Sequence, residues 1–117
     1  MEKIVAGIKK VVRFKGTTRE GDIVLIAARE PRSLVYALVT DIVRDESRKD
    51  EWWQVTFRLL TFPPQKVTWI LRTEQFTGRE IFTLDNKERF VQAVDFSKGG
   101  DRQKGKIIRL LKKDKKP

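Results

Sequence analysis

The sequence predicts a mainly β domain, a small β-barrel of PUA-like or SH3-like type with one or two helices. Three observations carry this. Short apolar or alternating segments recur at close spacing, turns rich in Gly, Pro or charged residues separate them, and one stretch late in the chain has convincing helical signals. Closure into a barrel would remove the edges that such apolar strands otherwise present.

Taken in order, Lys3–Phe14 places Ile4, Val5, Ile8, Val11 and Val12 on a helix face. Its Val/Ile content and Gly7 favour strand instead, at least over Lys10–Lys15, where Val12 and Phe14 alternate with charged neighbours. Gly16–Gly21 is a turn. Asp22–Ala28 is apolar on both faces and reads as a buried strand. After a turn at Glu30-Pro31-Arg32-Ser33, Leu34–Arg44 forms a long strand. Asp45–Glu51 is a charged loop. Trp52–Leu60 alternates most clearly, with Trp53, Val55, Phe57 and Leu59 on one face and Trp52, Gln54, Thr56 and Arg58 on the other. Pro63 and Pro64 interrupt the sheet, Val67–Arg72 resumes it with Val67, Trp69 and Leu71 aligned, and Glu80–Leu84 is short and strand-like.

The helix is predicted near 86–95. Asp85 suits an N-cap, Glu88 stands where a capping box places it, and Phe90, Val91 and Val94 form a stripe at helical spacing. Residues 1–97 thus read as a single barrel domain. Residues 98–117 read as a basic extension, with Lys106–Lys113 either a last strand or a short basic helix and the final residues mobile.

The 117-residue chain carries a net charge of +10, unevenly placed. Lys3, Lys9, Lys10, Arg13, Lys15 and Arg19 stand against Glu2 and Glu20 in residues 1–21, and nine cations stand against Asp101 and Asp114 in residues 98–117. The stretch between is close to neutral. Basic ends suit electrostatic capture of a polyanion, in which each neutralised phosphate releases counterions; a solvated tail that aids solubility is the other reading.

With no histidine and no cysteine, the chain lacks the usual ligands for zinc, copper, haem and iron–sulfur sites and both common nucleophile–base pairs. No cofactor or metal is expected. Asp45, Glu46, Asp50 and Glu51 interleave with Arg44, Arg48 and Lys49 and read as a solvated loop rather than an acid–base pair. There is no phosphate-cradling glycine loop. The chain is read as a binding module and not an enzyme. Without an 18-residue apolar run, a secretory signal at its start or cysteine for disulfides, it is expected in the cytoplasm.

Trp53 and Trp69 share faces with aliphatic residues and belong to the core. Trp52 sits with Gln54, Thr56 and Arg58, where an exposed indole beside arginine suits base stacking, or else covers the end of the barrel.

Gly21-Asp22-Ile23-Val24-Leu25-Ile26, followed by Val35–Val43 with Ala37, Val39 and Ile42 in an A-x-V-x-x-I pattern and then by Trp53–Arg58, resembles the PUA-like barrels, especially their ASCH and EVE branches. The resemblance covers about residues 20–94 and implies RNA or modified bases as ligand. The same words are similar to SH3-like barrels of the Tudor kind, which hold methylated side chains in aromatic cages. Tyr36, Trp52 and Trp53 are the rings available for a cage, but adjacent Trp52 and Trp53 point to opposite faces.

The expected function is nucleic-acid binding, with RNA or single strands favoured. The residues expected to carry it are Lys9, Lys10, Arg13, Lys15, Arg44, Arg48, Trp52, Arg58, Lys104, Lys106, Arg109, Lys112 and Lys113. The alternative is an SH3-like module that binds a protein partner and has no catalytic activity.

Overall fold

The structure is a computed structural model that describes residues 1–97. Six antiparallel strands form one sheet: β1 (Ile23–Arg29), β2 (Arg32–Arg44), β3 (Trp53–Leu59), β4 (Gln65–Leu71), β5 (Phe82–Leu84) and β6 (Lys87–Ala93). Helix α1 (Glu2–Val11) precedes the sheet, and a single turn, α2 (Thr73–Phe76), lies between β4 and β5. The strand order is β4-β3-β2-β1-β6-β5, and the sheet curls into a half-barrel. The mainly β fold class is therefore correct. Closure into a full barrel is not seen among the described residues, where β4 and β5 are the sheet edges.

β1 explains the layering. Its residues Val24 to Ala28 are all buried, so both of its faces must be covered. Val24 and Ile26 face the inside of the curl with Ala37, Val39, Val55, Phe57, Leu71, Phe76, Phe82, Val91 and Ala93. Leu25 and Ala27 face outward and pack with Phe90 and Val94 against Val5 and Ile8 of α1.

This second core overturns the strand expected over Lys10–Lys15. β-Branched residues lower helix propensity only weakly, and a buried apolar stripe outweighs that preference. Val5 and Ile8 supply the stripe, with Ile4 and Val12 beside it. Glu2 in the first turn and Lys9 and Lys10 in the last complement the helix dipole. Extended backbone survives only as an isolated bridge between Phe14 and Val94, flanked by hydrogen bonds from Lys15 N–H to the Ala93 carbonyl and from Asp95 N–H to that of Arg13, each 2.8 Å.

The helix expected near 86–95 is also overturned: β6 occupies Lys87–Ala93. Asp85 and Asn86 have φ of 54° and 63°, the left-handed region that these two residue types tolerate and that a two-residue hairpin turn requires. Leu84 and Lys87 close the hairpin. The apparent helical stripe arises because β6, like β1, is covered on both sides. Phe90 and Val94 lie under α1, while Val91 and Ala93 face the inner core.

β2 changes face midway. The register with β3 shifts between Val39 and Asp41, leaving Thr40 as an extra residue. Before it, Val35, Ala37 and Val39 face inward; after it, Ile42 faces inward and Val43 outward. α2 closes one end of the inner core with Phe76, whose carbonyl accepts a 2.7 Å hydrogen bond from the Thr18 hydroxyl. Beyond α2, Gly78 has φ of +81°, and a Cβ there would come within 2.5 Å of the Gln92 side chain.

Two stability measurements test this layout. Phe90→Ala should cost about 3–5 kcal/mol in urea unfolding, since the ring is sealed between β6 and α1 and contacts Phe14 edge-on at 5.9 Å. Gly78→Ala should lose more than about 1 kcal/mol, whereas Gly16→Ala, with open space around its Cα, should be neutral or slightly stabilising.

Candidate nucleic-acid interface

α1 is ten residues long, about 15 Å, and covers only β1, β6 and their neighbours. The outer face of β2, β3 and β4 receives nothing from it. Strand pairing orders that face into rows. The first holds Trp52 and Arg72, which follow the pair Trp53–Leu71. The next holds Val43, Gln54 and Ile70, and the third Asp41, Thr56 and Thr68, whose hydroxyls meet at 2.9 Å. The fourth holds Leu38, Arg58 and Lys66. The last holds Tyr36 and Leu60, joined by a 2.9 Å hydrogen bond from Leu60 N–H to the Tyr36 carbonyl. Six residues separate Trp52 from Arg58, roughly 20 Å of strand.

The two ends of this face differ. At the Trp52 end the indole is half-buried, with the Arg48 guanidinium 5.0 Å and the Arg72 guanidinium 4.8 Å from its ring centroid. Both cations have carboxylate partners: Arg48 with Asp45 at 3.3 Å and Arg72 with Asp50 at 3.6 Å. Arg44 points to the inner face, 6.0 Å over the Trp53 ring, and donates to the carbonyls of Asp50 at 2.8 Å and Trp52 at 3.2 Å. The loop is thus a knit structure. Asp45, 3% exposed, accepts hydrogen bonds from the Ser47 hydroxyl at 2.6 Å and the Ser47 N–H at 3.1 Å. The Ser47 hydroxyl, helped by its N–H and by Arg48, holds the Asp45 carboxyl below its ordinary range against the opposing effect of burial.

At the other end the side chains face solvent. Arg58 and Lys66 stand directly opposite each other and are both exposed. Neither forms an ion pair among the described residues. Like charges so placed destabilise a sheet. Diagonal to Arg58 is Tyr36, 41% exposed, with the Phe96 ring, 58% exposed, 6.2 Å away. Two accessible rings therefore lie to one side of a pair of cations that have no anionic partner among the described residues.

Of the residues expected from sequence, Arg48, Trp52 and Arg58 lie on this outer face, with Arg44 behind it. Lys9 and Lys10 are in the last turn of α1, with the Lys9 ammonium 5.6 Å from the Phe90 ring. Arg13 is exposed near the Phe14 bridge, and Lys15 pairs with Asp22 at 2.8 Å. Lys104, Lys106, Arg109, Lys112 and Lys113 lie outside the described residues. Sequence reasoning missed Lys66, Arg72 and Phe96, and offered Tyr36 only as a ring for a cage. The alternation that set Arg58 on a polar face extends to Lys66 and Arg72 in the next strand, but Tyr36 was hidden in a run apolar on both sides.

Comparison with protein-family models, curated proteins and solved structures finds no match. No helix among the described residues is long and apolar enough to cross a membrane.

The Asp45 carboxyl gives a pH prediction. Its depressed folded-state value means that its stabilisation is present above the ordinary carboxylate range and is lost as pH falls through the lower folded value. An acid titration followed by circular dichroism should show a steeper loss of stability below pH ~4 in the unaltered protein than in Asp45→Asn, which should start less stable at neutral pH.

Proposed function

We propose that this domain binds single-stranded nucleic acid, RNA foremost, along the outer face of β2–β4, and does so as a binding module without catalysis, in the cytoplasm. The observation that carries the reading is the solvent-facing Tyr36–Phe96 pair beside Arg58 and Lys66. Bases stack on accessible rings, while the neighbouring cations meet the phosphates. A strip about 20 Å long suits the short end of the ~4–16 nucleotides taken by single-strand-binding barrels. Between its ends, Gln54 and Thr68 offer donors and acceptors to base edges.

The charge at the chain ends supports the same reading. In the sequence, residues 98–117 with their nine cations follow directly on Phe96 and Ser97. Lys9, Lys10 and Arg13 add to the attracting field. The Trp52 ring serves differently from the platform expected from sequence: with guanidiniums close to it, it orders Arg48 and Arg72 as further phosphate contacts.

A protein-binding surface is the second reading. It is favoured by Leu34, Leu60 and Phe62, which are 55%, 48% and 100% exposed.

Fluorescence anisotropy with a labelled uridine oligonucleotide distinguishes the two. Tyr36→Ala should weaken binding by the ~1–3 kcal/mol of one stacked base. Replacing Arg58 and Lys66 together by Glu should lower affinity further and flatten the log–log salt dependence by about 1.4, two phosphate contacts on a single strand. Absence of binding at low salt, or binding indifferent to both changes, leaves the protein-partner reading in its place.

A further inference from the structure

We infer that the inner face of the half-barrel, opposite the proposed nucleic-acid platform, holds a separate site for an oxyanion centred on Arg89. Arg89 lies on the inner face of β6, opposite Ala28 of β1 and Phe82 of β5. Its guanidinium reaches across the curl to the other sheet edge and lies over the ring of Trp69 on β4, 5.0 Å from the centroid.

What distinguishes Arg89 is the lack of a polar partner among the described residues. Every other charged side chain that is buried or half-buried among the described residues has one. Lys15 and Asp22 hold each other, Asp45 holds Ser47 and Arg48, Glu88 holds Arg29, Asp95 holds Ser97, and Arg44 holds two carbonyls. Arg89 has none, and its Nε is sealed from solvent with its hydrogen unclaimed. Its surroundings are apolar: Ala28, Phe82, Val91 and Trp69. The adjacent carboxylate, Glu88, is on the opposite face and taken by Arg29 at 2.6 Å.

A guanidinium carries its N–H donors in a rigid planar fork. That fork fits a carboxylate or a phosphate through two parallel charge-assisted hydrogen bonds, and the apolar walls strengthen them. Lysine, a point charge without a fork, would not reproduce the geometry. The ligand class is a small molecule bearing one such group on an apolar body.

The test follows the Arg89 Nε–H and Trp69 indole N–H signals by NMR during titration with phenyl phosphate, benzoate and neutral benzamide. A saturable shift of both signals with at least one of the two anions and none with benzamide is expected, and the stronger anion distinguishes phosphate from carboxylate. Arg89→Lys, which keeps the charge, should weaken that anion about tenfold while the spectrum of the folded protein persists. No saturable shift with either anion, an equal response to benzamide, or undiminished binding by Arg89→Lys overturns the inference. Oligonucleotide binding to the outer face is measured independently, so the failure of either site leaves the other standing.

Discussion

The burial of β1 on both faces is the constraint from which the rest of the molecule follows. A strand reading Val24-Leu25-Ile26-Ala27-Ala28 cannot leave either side to water. The inward side is covered when the sheet curls on itself, and the outward side by the only substantial helix among the described residues. Ten residues of helix cover about two strands. β1 and β6 use that cover entirely, which leaves β2, β3 and β4 facing solvent. The proposed platform is thus a by-product of how far one short helix reaches.

The two ends of that exposed face show opposite solutions to the placement of charge. Around Trp52, cations, carboxylates and carbonyls satisfy one another, and the loop from Asp45 to Trp52 has a fixed form. Around Tyr36, two cations confront each other across strands and two rings lie open. A fold optimised for stability alone would separate Arg58 from Lys66 or give them acidic neighbours. Unfavourable placement of this sort is understandable where the compensating charge is on another molecule.

Strands β1 to β4 were legible in the sequence to within a residue or two at most boundaries, because alternation and double-sided apolar runs are strand signals that tertiary context rarely reverses. Both failures involved segments packed against each other. The segment 2–11 has strand-like composition but folds as a helix because its stripe meets Phe90 and Leu25. The segment 87–93 has a helix-like stripe but folds as a strand because α1 covers one side of it. Neither segment can be assigned without knowledge of the other. The site was half legible for a related reason. Arg58 and Trp52 followed from alternation within β3, whereas pairing Arg58 with Lys66, or Tyr36 with Phe96, depends on register and on where the chain returns after β6.

The extra residue at Thr40 divides β2 into two reading frames. Upstream of it odd-numbered residues point inward, and downstream even-numbered ones do. Pairing Thr40 as an ordinary residue of the ladder, with no bulge, would rotate the distal half of the strand by half a turn. Val43 would then enter the hydrophobic interior, while Ile42 and Arg44 would be turned out to solvent, and the carbonyls that Arg44 gathers from the neighbouring loop would lose their donor. A single insertion thus acts as the hinge of an alphabet: it lets one continuous strand serve the packed interior at one end and brace a charged loop at the other.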